Sequence, residues 1–515
     1  MKHPHRCRAI LLAVLLLAFA LRMIHLQSRP LWYDEAIAVM HASLPPAELL
    51  YGTLTPVEGG EAANVHPPLY FLLLNGWMEL AGRSPLAIRL LSVGFGMLTV
   101  ALLWRLASWS FDRRTGLMVG LLAAVNPFHV AYSQETRMYA LLALTSVTAA
   151  WAFLRALNGA PSNRSAEPSE PLLLRRWRWW LLYAVAAALT MYTQNLGAFP
   201  LLALNLLAWI RRPWRRLPSV LLANLVAVIL YSPWLIGALP KQLRSIGGGY
   251  WLEAPGVDEV VRALMLPVFT YYEPAPFWLL GAGFFVGLLV LVMVLLQAGK
   301  TRSRAGWFLF LGWAPILLIF LASLWKPIYL ERAILPAALF YLVAVGWLLA
   351  RGGLPSPIQT GLTILLLATT AAFLWNHATY VGFPRPPFPE AVAYLEERVE
   401  PEDTVVHTNK LTYIPTTYYT PHLAGDFLSD PPGSPQDTLA RPTQESLGIS
   451  ATETITQAAG SAEDVWLVYF EREVAEFEAA GAAHPVLSWM ETHFDRREQR
   501  TFVDLTIAHY RREAP

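Results

Sequence analysis

The polar side chains that could do chemistry lie mostly at the ends of long apolar segments. They fall in five motifs: Trp32-Tyr33-Asp34-Glu35, His66-Pro67-Pro68-Leu69-Tyr70, Tyr132-Ser133-Gln134-Glu135-Thr136-Arg137-Met138-Tyr139, Tyr192-Thr193-Gln194-Asn195 and Lys326-Pro327-Ile328-Tyr329-Leu330-Glu331-Arg332. A longer polar segment, 239–275, adds Lys241, Arg244 and Trp251. Carboxylates can accept protons and guanidinium groups can hold phosphates. What these motifs can do together depends on whether the apolar segments bring them to one place.

Composition identifies the chain as a membrane protein. Of its 515 residues 55% are hydrophobic and only 15% are charged, and the mean hydropathy is +0.39. A soluble chain of this length would carry about a quarter charged residues. The apolar residues come in blocks long enough to cross a hydrocarbon core of about 30 Å as helices. These features exclude a soluble enzyme, a fibrous protein and a disordered chain.

Hydropathy predicts about eleven membrane-spanning helices, within a range of 10–13. They are expected at 9–27, 86–107, 116–134, 138–158, 178–194, 196–210, 218–238, 276–297, 305–324, 331–350 and 358–377. The apolar segment 67–82 is shorter, roughly 24 Å as a helix, and is predicted to lie at the membrane surface. With this count the clusters of Lys and Arg between spans fall on one side, as the positive-inside rule requires. All five polar motifs and segment 239–275 then face the extracytoplasmic side.

Charge divides the chain into two parts. Residues 1–383 carry 29 Lys and Arg against 15 Asp and Glu, whereas residues 384–515 carry 10 against 22. We predict a transmembrane domain over 1–383, with long external loops at 28–85 and 239–275, and an extracytoplasmic α/β domain over 384–515. In that domain helices are expected at 388–399 and 484–494, strands at 403–407, 465–470 and 501–507, and a long loop over 421–463. Cys7 is the single cysteine, so disulfides and cysteine metal sites are excluded.

The crowding of polar motifs at one membrane surface is typical of a site that acts on a lipid headgroup. Each motif also has a structural interpretation, because acids often begin helices and arginines at span ends reach the headgroups. Trp32-Tyr33-Asp34-Glu35-Ala36, His66-Pro67-Pro68-Leu69-Tyr70 and the segment 132–139, in this order, resemble the bacterial GT-C glycosyltransferases of the protein O-mannosyltransferase superfamily. This group (glycosyltransferase family 39-like) includes the lipid A aminoarabinose transferase. The resemblance covers residues 9–377 and implies a GT-C fold with interfacial helices in the first external loop.

The resemblance implies an inverting transfer of a sugar from a polyprenyl-phosphate donor to an extracytoplasmic protein, lipid or glycan. Asp34 would be the general base, and Glu35 would orient it or the acceptor. Such a reaction also needs cations that hold the phosphate and offset the charge growing on it. The residues expected to bind the donor phosphate are Arg137, Arg332, Lys241, Arg244, Tyr139 and Tyr329. Those expected to line the sugar, lipid or acceptor pocket are His66, Tyr70, Gln194 and Trp251.

Departures from the family pattern bear on metal binding and on the substrate. Gln194 stands where many relatives have histidine, His66 where the aminoarabinose transferase has lysine, and Ala333 where relatives have tyrosine. We therefore expect no required cofactor, although His66 with Asp34 or Glu35 could bind a divalent ion. The expected partners are the donor, the acceptor and membrane lipids. Binding of nucleic acid is not expected. Two other functions stay open: a non-catalytic lipid-binding relative, and a transporter or flippase of lipid-linked sugars.

Overall fold

The computed structural model describes residues 4–54, 66–158, 172–211, 216–247, 254–270, 273–301, 303–430, 439 and 441–512. The helices of the first half are α1 Pro4–Met23, α2 Tyr33–Ser43, α3 Pro46–Leu54, α4 Leu69–Ala81, α5 Pro85–Ser110, α6 Arg113–Val125, α7 Pro127–Ser133, α8 Tyr139–Asn158, α9 Leu172–Thr193, α10 Ala198–Arg211 and α11 Leu217–Gly237. They are followed by α12 Leu239–Gly247, α13 Val257–Ala263, α14 Phe277–Thr301, α15 Ala305–Ser323, α16 Leu335–Arg351 and α17 Ser356–Thr379.

The predicted membrane segments are all helical. Within the described ranges seven helices are long and apolar enough to cross a membrane, in α5, α8, α11, α14, α15, α16 with the turn before it, and α17. The bent pair α6 and α7 makes an eighth. The remaining three predicted spans lie in α1, α9 and α10. The prediction of a polytopic helical membrane protein is therefore confirmed, while the count of eleven stays a prediction.

Helix α16 forms the centre of the bundle. Every residue from Leu335 to Ala350 is buried, and the helix packs against α15, α6 and α8. A helix that is apolar on all sides is stable only when other helices surround it. Small residues allow this close approach: a Cβ placed on Gly312 of α15 would lie 2.8 Å from Tyr341 Cβ and 3.0 Å from Tyr341 Cα. Packing of this kind holds α15 closely against α16.

We expect Gly312→Ala to lower the free energy of unfolding by about 1–3 kcal/mol, because the added methyl group overpacks the contact with the backbone of α16. Gly306→Ala is the matched control on the same helix, since a Cβ there meets nothing within 4 Å. Thermal unfolding in detergent micelles measures both variants. Equal stability of the two variants would contradict the packing described for α15 and α16.

The predicted span 116–134 is broken rather than straight. Helices α6 and α7 meet at an angle of 59°, because Pro127 cannot donate the backbone hydrogen bond that would continue α6. Asn126 caps α7 by accepting from the backbone N–H of His129 at 3.0 Å. The buried guanidinium of Arg22 in α1 donates to the carbonyl of Ala124 at 3.1 Å, near the end of α6. The bend directs the chain after α7 toward the functional site.

The first loop contains three helices. The apolar α4 has 13 residues, roughly 20 Å, which is too short to cross the membrane. It packs against α2 and α5, and α2 in turn contacts the C-terminal domain. Segment 67–82 therefore supports α2, the helix that begins with the acidic pair.

The C-terminal domain is a six-stranded sheet with helices on it. Its strands are β1 Thr404–His407, β2 Asp426–Leu428, β3 Ala451–Thr452, β4 Asp464–Phe470, β5 Phe494–Phe502 and β6 Leu505–Arg512. Its helices are α18 Phe388–Glu396, α19 Lys410–Tyr419, α20 Arg441–Leu447, α21 Ile455–Ala459, α22 Glu471–Ala479 and α23 Pro485–His493. The strand order is β3-β2-β1-β4-β6-β5, and the first four strands are parallel. The prediction of an α/β domain after the last membrane helix is confirmed.

Two details of that prediction were wrong. The expected strand 501–507 is a hairpin, because the chain turns at Val503, which has φ +64°, and pairs β5 with β6. The expected loop 421–463 contains β2, β3, α20 and α21. These elements are too short to show a clear hydrophobic period. Of the two strands, β2 pairs with β1 and β3 pairs with β2.

Candidate active site

Four of the five polar motifs meet at one end of the helix bundle. Asp34 and Glu35 occupy the first turn of α2, where free N–H groups and the helix dipole favour carboxylates. Around them lie His66 before α4, the segment between α7 and α8 with Arg137, and the 3₁₀ turn before α16 with Arg332. The site is therefore built from four separate parts of the sequence.

Asp34 is a carboxylate held between two arginines. Arg332 Nη1 donates to its Oδ2, Arg137 Nε lies 3.9 Å from the same oxygen, and the Asp34 side chain is 14% exposed. Arg137 Nη1 also donates to the Asp34 carbonyl at 3.2 Å. Burial alone would raise the pKa of Asp34, but the guanidinium groups of Arg332 and then Arg137 outweigh it and lower that pKa. Asp34 is thus an ionised, partly accessible carboxylate that can accept a proton.

Glu35 is fully buried and paired. Arg89 Nε and Nη2 donate to its two carboxylate oxygens at 2.8 and 2.7 Å, and the Thr136 N–H donates to Oε1 at 3.0 Å. The other Arg89 donors reach the carbonyls of Leu26, Arg29 and Pro30. Both side chains are 0% exposed. Glu35 therefore connects α2 with α5 and with the segment before α8.

Arg137 also fixes the protonation of His66. Its Nη2 lies 3.2 Å from His66 Nε2. Burial and the charge of Arg137 lower the pKa of His66 to about 3, so the imidazole is neutral at pH 7. Since a guanidinium group can only donate, Nε2 is the acceptor and Nδ1 carries the proton. His66 Nε2 then accepts a hydrogen bond from the Arg137 guanidinium group, so its lone pair does not face a metal ion. The described residues contain no cluster of three or more His, Cys, Asp or Glu side chains that could hold a metal ion.

Glu135 is a third carboxyl group at this site, and no role was predicted for it within the motif 132–139. It is 0% exposed. Burial raises its pKa to about 7, and the nearby Arg385 and Arg332 only partly oppose this shift. The signal in the sequence is an acid in the short break between two apolar helices. Glu135 can therefore exchange a proton near neutral pH.

We expect the stability advantage of the wild type over Glu135→Gln to fall as the pH rises from 4.5 to about 7, and to stay constant at higher pH. In this window the folded protein holds a proton that the unfolded chain has released, so raising the pH favours the unfolded chain. Thermal unfolding of both proteins in detergent between about pH 5 and pH 8 gives this difference. A difference that does not change with pH would contradict the raised pKa.

Two guanidinium groups, those of Arg332 and Arg385, share the ring of Trp32. Arg332 Cζ lies 5.4 Å and Arg385 Cζ 5.8 Å from the ring centre, within cation–π range. Arg385 Nη2 is also 3.8 Å from Glu35 Oε2. Arg385 belongs to the segment between α17 and α18 and was not predicted as a site residue. Its presence adds positive charge to a site that already pairs Asp34 with two arginines, which favours an anionic ligand such as a phosphate.

Four more of the predicted site residues, all tyrosines except one glutamine, are buried. Tyr139 is buried with its ring 5.8 Å from Arg332 Cζ, and Tyr329 is buried before the 3₁₀ turn. Tyr70 is 0% exposed, and its hydroxyl lies 3.2 Å from Ser92 Oγ. It therefore takes part in the packing between α4 and α5, and its role in the pocket stays a prediction. Gln194 is buried at the end of α9, where its N–H donates to Thr190.

The remaining predictions concern segment 239–275. Lys241 lies in the amphipathic helix α12, and Lys326 Nζ donates to the carbonyl of Leu243 in the same helix at 3.2 Å. The Arg244 side chain and Trp251 lie outside the described residues, so their roles stay predictions.

The C-terminal domain contacts the helix that carries the acidic pair. Helix α19 packs against α2, where Ile37 and Ile414 belong to one buried apolar cluster. The Leu31 N–H donates to Tyr419 Oη at 2.8 Å, and the Tyr418 hydroxyl donates to the Arg83 carbonyl at 2.6 Å. The position of Asp34 therefore depends on both domains.

The helical bundle, the helices of the first loop and the following α/β domain define the class of the protein: it is a membrane protein with the GT-C fold. Residues 65–236, about a third of the chain, match the sequence profile of the dolichyl-phosphate-mannose-protein mannosyltransferase family. No curated protein sequence matches the chain significantly.

Solved structures of similar fold cover nearly the whole chain. ArnT from Cupriavidus metallidurans in the apo state has a TM-score of 0.64 and 13% identity, with 98% of each chain covered. ArnT bound to undecaprenyl phosphate gives 0.60 and 14%, again with 98% of each chain covered. The Archaeoglobus fulgidus oligosaccharyltransferase tethered to an acceptor peptide gives 0.54 and 13%, covering 99% of this chain and 74% of that one. The GT-C resemblance drawn from the motifs is confirmed.

Proposed function

We propose that this protein is an inverting glycosyltransferase that moves a sugar from a polyprenyl-phosphate donor to an acceptor nucleophile on the extracytoplasmic face of the plasma membrane. The observation that carries this proposal is the carboxylate of Asp34 held between Arg332 and Arg137. A carboxylate beside a cluster of cations suits a reaction in which a base removes a proton while a phosphate leaves. The undecaprenyl phosphate bound to ArnT and the dolichyl-phosphate-mannose family profile support this donor class.

The proposed reaction uses few side chains. Asp34 takes the proton of the acceptor hydroxyl, whose oxygen attacks the anomeric carbon from the face opposite the phosphate. The bond between that carbon and the phosphate oxygen breaks, and the bonding electron pair stays on the phosphate. Arg332 and Arg137 stabilise the negative charge that develops there.

The donor phosphate and Asp34 would compete for the same two guanidinium groups. In the structure Arg332 and Arg137 lower the pKa of Asp34 and so weaken it as a base. A phosphate that draws the arginines toward itself would return basicity to Asp34 when the donor is in place. Glu35, held by Arg89, would keep Asp34 in position during this exchange.

We expect Arg332→Ala to lower kcat/KM for the donor by about 10²–10³-fold, the range for loss of one group that stabilises transition-state charge. Release of polyprenyl phosphate from the donor measures this rate with protein in nanodiscs. Arg262→Ala is the control, because Arg262 makes an exposed i,i+4 pair with Asp258 on α13. Equal activity of the two variants would contradict the assignment of Arg332.

The proposed function itself is tested by offering the wild type several polyprenyl-phosphate sugars together with a membrane extract that contains acceptors. Release of polyprenyl phosphate from one donor, coupled to a new glycosidic bond, is the expected result. Movement of the lipid between leaflets without a new bond would instead support a flippase. Tight donor binding without turnover of any sugar would support a non-catalytic relative.

A further inference from the structure

A cavity with charged side chains in its wall lies beside the candidate active site. It has a volume of about 240 Å³ and is lined by Arg29, Glu273, Tyr380, Arg385 and Glu390 among others. One wall, which includes His25 and Ser28, comes from the chain that follows α1, and another comes from the end of α17. Since both helices belong to the predicted set of membrane spans, the cavity would lie at the level of lipid headgroups.

Glu273 contributes a carboxylate to the wall of this cavity. Its side chain is 8% exposed, and its Oε1 lies 2.7 Å from His377 Nδ1. The other oxygen, Oε2, is buried and has no hydrogen-bond partner among the residues that the structure describes. Burial would raise the pKa of Glu273, but His377 and Arg29 outweigh this effect and lower it. A buried, ionised and incompletely bonded carboxylate is costly unless a donor on a ligand completes it.

Two arginines, Arg29 and Arg385, line the same cavity. Burial and the nearby Arg385 lower the pKa of Arg29 to about 10, so it stays charged at pH 7. Its Nη1 lies 3.0 Å from His377 Nε2. The Arg385 side chain is 12% exposed and lies 3.8 Å from Glu35. A ligand complementary to these side chains would place a negative charge at the two guanidinium groups. It would also place a positively charged hydrogen-bond donor at Glu273.

We propose that this cavity binds a phosphoethanolamine group, the headgroup of a zwitterionic membrane lipid, with its phosphate on Arg29 and Arg385 and its ammonium group on Glu273. The phosphate matches the guanidinium groups, and the ammonium group gives Glu273 Oε2 its missing partner. A phosphoglycerol headgroup has only hydroxyl donors for a carboxylate and therefore fits less well. This proposal does not depend on the transferase activity.

The test is native mass spectrometry of the full-length protein. The protein is incubated in detergent with phosphatidylethanolamine or with phosphatidylglycerol of the same acyl chains, and the lipid that it retains after release from the micelle is measured. We expect the wild type to retain phosphatidylethanolamine about tenfold better, the effect of one hydrogen bond between charged groups. Glu273→Gln should lose this preference, since its amide oxygen can still accept from His377 but carries no charge. Glu400→Gln, at an exposed position in the C-terminal domain, should keep the preference.

A second measurement needs no variant and distinguishes the lipid from a soluble source. Free O-phosphoethanolamine is titrated into the wild type by calorimetry and offered as a competitor of the lipid. Binding that displaces phosphatidylethanolamine supports the headgroup site, whereas binding of the free compound without lipid retention supports the same cavity with a soluble occupant. Equal retention of both lipids by the wild type, together with no binding of the free compound, would overturn the proposal.

Discussion

Asp34→Asn is expected to lower kcat for sugar transfer by about 10³-fold, within the range for loss of a general base. Asparagine keeps the size of the side chain but cannot take the acceptor proton. It also no longer competes with the donor phosphate for Arg332 and Arg137, so donor affinity should be unchanged or higher. Initial rates of polyprenyl phosphate release and equilibrium donor binding, measured on the same nanodisc preparation, separate these two effects.

Asp258→Asn is the matched control for this experiment. Asp258 is an acid on the same predicted side of the membrane, but its pair with Arg262 is exposed and contributes little. Its activity should equal that of the wild type. If Asp34→Asn kept its kcat within about tenfold of the wild type, Asp34 would not be the base.

Breaking the buried pair of Arg89 and Glu35 should have the largest effect on stability. Arg89→Met leaves the Glu35 carboxylate buried with the Thr136 N–H and the more distant Arg385, and such an uncompensated charge costs about 3–5 kcal/mol. The double variant with Glu35→Leu removes both charges and should recover part of that loss. Unfolding in detergent, followed over a complete double-mutant cycle, measures the coupling between the two residues.

The pair of Arg351 and Asp112 is the comparison for this cycle. It lies at the opposite end of α16, and its side chains are 56% and 33% exposed. Arg351→Met should therefore cost no more than about 1 kcal/mol. An Arg89→Met variant as stable as Arg351→Met would show that Glu35 is not held by Arg89 in the folded protein.

Much of the fold can be predicted from hydropathy, because a membrane requires long apolar helices and polar residues at their ends. Hydropathy and the positive-inside rule locate the helices and predict that Asp34, Arg137 and Arg332 share one surface. They do not show that α6 and α7 form a bent pair, since the break depends on Pro127 and on contacts from α1.

The sequence does not reveal how the site is supported. Arg89 lies inside a predicted apolar span, and nothing local shows that it pairs with Glu35. Arg385 follows the last predicted membrane helix, and nothing local shows that it lies 3.8 Å from Glu35. Tyr70 is an aromatic residue of the kind that lines sugar pockets, and the sequence does not show that the packing of α4 on α5 buries it. Each of these positions is decided by contacts between distant segments, which residue spacing does not record.

The stereochemistry of transfer tests the central claim most directly. A base that activates the acceptor opposite the leaving phosphate gives a product whose anomeric configuration is inverted relative to the donor. The measurement is the NMR coupling constant of the anomeric proton in the product, taken with whichever polyprenyl-phosphate sugar the wild type uses. We predict that the wild type forms the inverted product and that Asp34→Asn forms it about 10³-fold more slowly. Retention would require a covalent glycosyl-enzyme intermediate and would contradict the role proposed for Asp34.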